Sequence, residues 1–481
     1  MLLSKIIEGD YKDVEITGIQ SDSRLIQKDN IFFAINGRTV KGISFADKVI
    51  EMGASVIVCS SDEDYTNDNI VVIKVDDVLG ALGKALTNFY KEKPEHIVGI
   101  TGTSGKTSTA EFTRQALQIL GKNSASIGSL GLRFGDEYEK NDTLTMKELV
   151  DLHTKLNFLK TQKATDYVVM EATSQGLDQR RLEAVKLEIG AFLNITPEHL
   201  DYHADMEDYL QKKLLLFTNV LQKNSKVVLN ADIPEYNKIA DVCKKQGHQI
   251  LSFGKEGDLQ IISIKNSLYG QDVVLKYKDK DYNFNSSFIG SYQIYNLLAT
   301  LGILMCLGFD IDASIKALEQ VKAAHGRLEL AGKKSNGATI YIDYAHKPDA
   351  LEKMLKAMKE HVANEDGARV GVLFGCGGDR DKTKRPVMGK IACDLADFVI
   401  LTSDNCRTED PNVILSEIKS ACNDKVVIAE VDRKIAIQKA IDILEPKDVL
   451  VLAGKGHENY TIIGKEQIPF NEFEIVKECI K

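Results

Sequence analysis

Ile97-Val98-Gly99-Ile100-Thr101-Gly102-Thr103-Ser104-Gly105-Lys106-Thr107-Ser108 is the stretch that decides how this chain folds. The apolar run at 97–100 reads as a buried strand and the glycines as a turn, while Ala110, Thr113, Leu117 and Leu120 are spaced for one face of a following helix. A loop in that position sits at a helix N-terminus, where backbone N–H groups and the dipole attract phosphate. Lys106 is then the residue that reaches the β- and γ-phosphates of a nucleotide, and Thr107 offers its hydroxyl to a magnesium ion. The general Walker spacing is not met, because Gly99 stands one residue early and position 100 is Ile. A turn that merely joins strand to helix is the bland alternative. A Gly-Lys-Thr run after a strand meets three requirements at once, which favours the phosphate loop.

Outward from this loop the chain runs to 481 residues, too many for one hydrophobic core and suited to about three domains. It is 43% hydrophobic and 27% charged, the balance of an ordinary globular protein. The formal net charge of −9 argues against a partner as anionic as nucleic acid. Met1 to Tyr11 lacks the apolar run of a secretory signal. The longest apolar stretch, Leu297 to Phe309, is too short to span a bilayer and reads as a buried helix, so no membrane insertion is expected. Eight cysteines without C-x-x-C pairs read as free thiols in a reducing cytoplasm.

Two joints divide the chain. The charged, proline-bearing Lys91-Glu92-Lys93-Pro94-Glu95 precedes the strand of the loop, and Val321-Lys322-Ala323-Ala324-His325-Gly326 closes a helical pattern. Domains over 1–93, 94–323 and 324–481 are expected. In the later two, short β-branched runs (Tyr167 to Met170, Val370 to Phe374, Phe398 to Thr402, Val449 to Ala453) alternate with helical patterns. That alternation implies an α/β fold of mostly parallel sheets covered by helices.

The loop variant Gly-Thr-x-Gly-Lys-Thr resembles that of the Mur ligases, and the likeness extends over nearly the whole chain. Asn194-Ile195-Thr196-Pro197-Glu198-His199-Leu200-Asp201-Tyr202-His203, preceded by Met170-Glu171, is similar to the family's metal segment. Lys213, within Tyr209 to Phe217, takes the place of a lysine carbamylated to N6-carboxylysine. Gly290-Ser291-Tyr292-Gln293-Ile294-Tyr295-Asn296 resembles its adenine-contacting segment, with Gln293 in place of Asn. His325-Gly326-Arg327-Leu328-Glu329 and Asp343-Tyr344-Ala345-His346-Lys347-Pro348-Asp349 match two further motifs, with His325 where Pro is usual. Gly375-Cys376-Gly377-Gly378-Asp379-Arg380-Asp381-Lys382-Thr383-Lys384-Arg385-Pro386, Asp404-Asn405-Cys406-Arg407 and Ala453-Gly454-Lys455-Gly456-His457-Glu458 resemble the branch that forms a tripeptide.

The resemblance implies a small N-terminal UDP-binding domain, a central P-loop ATPase domain and a C-terminal Rossmann-like domain that binds an amino acid. The activity it implies is ATP-dependent amide formation on a UDP-linked muramyl dipeptide, in peptidoglycan precursor synthesis, by a cytoplasmic monomer. Residues 102–108, with Asn296, Arg327, Asp343 and His346, would hold ATP. Thr107, Glu171, His199 and carbamylated Lys213 would serve magnesium, and Lys106, Lys213, His199, Glu171 and Arg327 would carry the chemistry. Ser23, Asn141, Asp142, Thr143, Thr173, Ser174 and Arg181 would meet the nucleotide substrate, although Gln175 replaces the family's His.

Arg380, Asp404, Asn405, Arg407, Gly454 and Glu458 would line the amino-acid pocket. A guanidinium at Arg407 suits the extra carboxylate of a diamino diacid such as meso-diaminopimelate or meso-lanthionine, even with Cys406 in place of Pro. An L-lysine-adding enzyme, a folylpolyglutamate-synthetase-like ligase and a non-catalytic nucleotide-binding module are the competing readings.

Overall fold

In the computed structural model every residue is described except 38–39, 136, 140–144, 268–269, 364, 423–424 and 481. Asn141, Asp142 and Thr143, expected at the substrate, therefore lie outside the described residues. The chain divides into two compact units, one of Met1–Lys106, Gly121–Leu229 and Ile233–Leu251, the other of Thr107–Leu120, Asn230–Asp232 and Ser252–Lys481.

The first unit opens with a parallel sheet, β1 (Gly18–Gln20), β2 (Asn30–Phe33), β3 (Val56–Ser60) and β4 (Val71–Val75), in the order β1-β2-β3-β4. Residues of β2 and β3 alternate between two cores. Ile31, Phe33, Val56 and Val58 pack on one side, and Phe32, Ile57 and Cys59 on the other. Burial on both faces is why these strands read as continuous apolar runs.

After the joint come β5 (His96–Thr101), β6 (Ser124–Gly128), β7 (Gly131–Phe134), β8 (Glu137–Glu139), β9 (Tyr167–Glu171), β10 (Leu187–Phe192) and β11 (Leu221–Asn230). Their order is β11-β10-β5-β9-β6, all parallel, with β7 and β8 added antiparallel at the β6 edge. Strand β5 thus lies between β9 and β10, at the point where the order of strands reverses. In open parallel sheets such a switch point opens a crevice at the carboxyl ends, and the loop at 102–105 leaves β5 there.

The second unit begins with the helix Lys106–Ile119 that the loop feeds, all but its first residue. Strand β12 (Gln249–Gly254) pairs with β13 (Leu259–Ser267) through Phe253 and Leu259, and β13, β14 (Gly270–Tyr277) and β15 (Lys280–Ser286) form an antiparallel meander. The apolar stretch foreseen at 297–309 falls largely in the helix Ser291–Cys306, most of whose residues are buried.

The last sheet has β16 (Glu329–Lys333), β17 (Thr339–Asp343), β18 (Val370–Phe374), β19 (Phe398–Thr402), β20 (Val426–Glu430) and β21 (Val449–Ala453). Its order is β16-β17-β21-β18-β19-β20, parallel except for β16. Each face has its own core. Leu351, Met354, Leu355 and Met358 of the helix Pro348–Val362 cover one side, and Ala436, Ile437, Ala440 and Ile441 of the helix Arg433–Asp442 cover the other. Each fully buried Leu, Ile or Met contributes on the order of 1.5–3 kcal/mol. Insertion of β21 between β17 and β18 creates a second switch point.

Among the described residues no helix is long and apolar enough to cross a membrane. All eight cysteines are free.

Candidate functional site

In the first unit the glycine loop is fixed by the segment leaving β10. Asn194 Oδ1 accepts from the Ser104 N–H at 2.9 Å, its Nδ2 donates to the Ser104 carbonyl at 3.0 Å, and the Thr103 N–H donates to the Asn194 carbonyl. The Thr103 hydroxyl meets the Thr196 carbonyl and the Tyr209 hydroxyl, each at 3.2 Å. Burial pushes the Tyr209 phenol up to about 12. Asn194 stood in a quoted motif without a role. Its amide rigidifies the loop, because a side-chain amide satisfies a donor and an acceptor of one peptide together.

Lys106 Nζ donates to the carbonyls of Gly102 and Thr103, both at 2.7 Å. Lys213 donates to the same Gly102 oxygen at 2.9 Å and is 1% exposed. Burial first, and the Lys106 charge second, lower its amine well below the ordinary lysine value. The neighbouring Lys212 instead pairs with Asp178 at 2.7 Å, half-buried at the surface. Of two adjacent lysines, packing turns only Lys213 toward the loop.

Glu171 ends β9, buried, and its carboxylate accepts from the Ser129 N–H at 2.7 Å. A Cβ on Gly128 would stand 2.1 Å from Glu171 Oε1, so only glycine leaves room for that carboxylate. His199 is half-exposed with φ +57, its ring centroid 6.2 Å from that of Tyr209. Among the described residues no three His, Cys, Asp or Glu side chains converge into a metal cage. A carboxylate and an imidazole are donors that a magnesium ion held mainly by phosphate oxygens and water could use.

The expected substrate contacts in this unit are tied into the fold. Thr173 Oγ1 caps the helix Ser174–Asp178, Ser174 bonds the buried His203 at 2.9 Å, and Arg181 bonds the Met146 carbonyl at 2.9 Å and Glu148 at 3.0 Å. Arg181 Nε is buried with no partner among the described residues. Ser23 is buried beyond β1.

In the second unit the expected residues gather at the carboxyl edge of the last sheet. Asp343 ends β17 and accepts from the N–H groups of Leu328 and Ala345. Burial raises its carboxyl, with Arg327 opposing. Arg327 stacks 4.7 Å over the Tyr344 ring, and its Nε is buried without a partner among the described residues. His346 Nδ1 faces the Tyr344 carbonyl at 2.8 Å, and burial lowers its pKa. Gly326 has φ +68, and a Cβ there would come within 2.2 Å of Gly456. Asn296 lies inside its helix rather than at the cap, bonded to Gln293 at 2.9 Å and to Thr109 at 3.4 Å.

Asp404 follows β19, is buried, and faces Lys455 Nζ at 3.3 Å. Burial works to raise its carboxyl, but Lys455 and Arg433 bring it below the ordinary range. Asn405 Oδ1 accepts from Lys455 and from the Ile462 N–H, while its Nδ2 donates to Glu458 at 3.0 Å. Burial raises the Glu458 carboxyl. Arg407 Nη1 donates to the carbonyls of Gly378 at 2.9 Å and Asn405 at 3.3 Å. Its Nε and Nη2 have no partner among the described residues, so one edge of the guanidinium remains for a ligand.

Arg407 at φ +50 and Asp379 at φ +53 are both left-handed, a strain of about 1–3 kcal/mol each that concentrates at functional sites. Arg380, by contrast, is exposed and among the described residues bonds only its neighbour's carbonyl, at 3.4 Å. The buried Arg385 ties this region together through Glu409 at 3.0 Å, Glu417 at 2.5 Å and the Gly377 carbonyl at 3.2 Å. Sequence reasoning passed over Lys455, Arg385 and Arg433. The first two lay inside quoted motifs, and nothing in the local pattern marked the third.

Comparison with known proteins fits this geometry. Residues 15–90 match the Mur ligase family catalytic domain, 100–304 the Mur ligase middle domain, and 326–456 the Mur ligase glutamate ligase domain. A protein of Rickettsia montanensis named UDP-N-acetylmuramoyl-L-alanyl-D-glutamate--2,6-diaminopimelate ligase is 38% identical over 98% of this chain and 97% of its own. One of the same name from Brucella melitensis biotype 1 is 39% identical over 98% and 95%. A solved structure of an enzyme so named superposes with a TM-score of 0.75 at 29% identity, covering 100% of this chain and 98% of that one. With relatives of that identity along its whole length, and the phosphate loop and carboxyl-edge cluster in place, the chain belongs to the Mur ligase family of ATP-dependent, amide-forming ligases.

Proposed function

We propose that the protein joins meso-diaminopimelate, or a similar diamino diacid, to the D-glutamate carboxyl of UDP-N-acetylmuramoyl-L-alanyl-D-glutamate in the cytoplasm. The observation that carries this reading is the Arg407 guanidinium, fixed through Nη1 and open along Nε and Nη2, beside Asn405 and Glu458. A planar fork pairs bidentately with a carboxylate, which L-lysine lacks at its far end. The identically named relatives support the same substrate.

A carboxylate is a poor electrophile, so the γ-phosphoryl group of ATP first passes to the glutamate carboxylate oxygen, leaving ADP and an acyl phosphate. The neutral amine of the diamino acid then attacks the acyl carbon, loses a proton, and expels phosphate to leave the amide. Lys106 offsets charge on the transferring phosphoryl group, the role by which positioning and electrostatics dominate this chemistry. Arg327 and Asp343 belong to the nucleotide side by resemblance. Glu171 and His199 are the residues that would hold a magnesium ion, which would supply further neutralisation. Burial, by lowering the Lys213 amine well below the ordinary value, favours the neutral form, which adds carbon dioxide at Nζ with release of a proton. The resulting carbamate would put an anion in place of that amine, able to face a metal ion.

The test offers the protein ATP, magnesium and the muramyl dipeptide nucleotide with meso-diaminopimelate, meso-lanthionine or L-lysine. Amide formation with the two diacids and little with lysine is expected, and Arg407→Ala should erase the preference. A truncated charge partner of this kind costs about 2–5 kcal/mol. Efficient use of lysine alone by the unaltered protein would overturn the reading.

A further inference from the structure

Arg433 is the first residue of the helix Arg433–Asp442, whose N-terminus Asp432 caps through the N–H groups of Lys434 and Ile435. A helix start favours anions, so a cation there must be held for another reason. Arg433 is 4% exposed, and each arm of its guanidinium has a separate partner. Nε donates to Glu472 at 2.7 Å, Nη1 to the Ser403 carbonyl at 3.1 Å, and Nη2 to the Ala453 carbonyl at 2.9 Å. Glu472, itself 2% exposed, opens the helix Glu472–Cys479, where an acid suits the dipole.

Ser403 and Ala453 are the residues immediately before Asp404 and Gly454. Strands β19 and β21 are not neighbours, since β18 lies between them. The ladders of β18 to each of them run only as far as Leu401 and Leu452, so past those residues no ladder sets the spacing of the two exits. There the guanidinium bridges the Ser403 and Ala453 carbonyls directly. The spacing matters because a Cβ at Gly454 would stand only 3.1 Å from Asp404 Oδ2, and Asp404 in turn faces Lys455.

We infer that Arg433 is a positioning residue of the amino-acid pocket: it touches no substrate, but fixes the distance between the Asp404–Arg407 turn and the Gly454–Glu458 turn that together recognise the diamino acid. The inference rests on the reading of this edge as the amino-acid site. A planar, three-way fork is required, and an ammonium cannot hold the same three partners in one plane.

The experiment compares Arg433→Lys with the double variant Arg433→Met/Glu472→Gln, which removes both charges together and avoids leaving Glu472 buried alone. Steady-state kinetics are run for each substrate, alongside thermal melts. Both variants should raise KM for meso-diaminopimelate by about tenfold to a hundredfold, the effect of a small misplacement, with KM for ATP and for the muramyl dipeptide nucleotide unchanged. Arg433→Lys should do so while melting near the unaltered protein. Equal losses with every substrate, or an unchanged KM for the diamino acid in protein that melts normally, would overturn the inference. Arg407→Ala, run in parallel, separates the two ideas. If it too leaves that KM unchanged, the pocket lies elsewhere and the underlying reading fails. If it raises KM while the Arg433 variants do not, only the positioning role is lost.

Discussion

Lys213 Nζ lies 2.9 Å from the carbonyl oxygen of Gly102, the first glycine of the phosphate loop, and Lys106 Nζ lies 2.7 Å from the same atom. One carbonyl thus gathers two amines. Burial penalises the charge of Lys213, and the nearby Lys106 charge repels it further, so the Lys213 amine lies well below the ordinary lysine value.

Lys213→Met separates the chemical role of this lysine from its effect on stability. In buffer free of carbon dioxide, the unfolded chain binds a proton at Lys213 up to its ordinary value of 10.5, whereas the folded chain releases it at lower pH. Stability from this group therefore rises with pH across that window. The variant should melt higher than the unaltered protein at pH 7, and the gap should narrow as pH rises toward 10. Ligase activity should fall by about a hundredfold or more, the scale of losing a group that organises transition-state charge. Activity of the unaltered protein should recover when bicarbonate is returned to depleted buffer. A gap that widens with pH would contradict a neutral Lys213.

Lys455 and Asp404 are 1% and 9% exposed at their side chains, so neither charge has water to turn to. Lys455→Met leaves the carboxylate buried and short of its partner, at an expected cost of about 3–5 kcal/mol in chemical denaturation. The double variant Asp404→Asn/Lys455→Met should recover much of that stability while remaining inactive with the diamino acid. Additive losses in the double-variant cycle would show that the two do not act as a pair.

Asp77 and Arg180 form a two-pronged ion pair at 2.8 Å in the first unit, and the Arg180 hydrogen bonds lower the Asp77 carboxyl from 3.8 to about 2. Side-chain exposures of 54% and 40% leave the pair open to solvent and salt. Asp77→Asn should therefore cost no more than about 1 kcal/mol despite the large shift. The folded-state value is the depressed one, so the contribution is present above about pH 4 and fades as pH falls toward 2. Melts at low and high salt should show the difference shrinking with salt, and a loss of several kcal/mol at neutral pH would mean the pair is not solvent-screened.

The alternation of short apolar strands with helices named the α/β class because strands buried on both faces carry their own signature, as in β9 and β21. The loop at 102–107 was equally legible, since its strand, glycines and lysine are neighbours in sequence. The order β17-β21-β18 was not, because which strand inserts between which depends on helix packing over both faces. Quoted motifs located Asp404, Asn405 and Arg407, yet gave no reason to expect that Lys455 would be wholly buried against the first of them.

Sequence alone settled what depends on near neighbours: the glycine loop between strand and helix, the parallel α/β class, and the family to which the motifs point. Tertiary structure decided what depends on direction and distance. Adjacent residues on a helix point about 100° apart, so the fold alone turns Lys213 inward to Gly102 and Lys212 outward to Asp178. In the same way Arg433 acquires its partners only when residues 403, 453 and 472, far apart along the chain, are brought around one guanidinium.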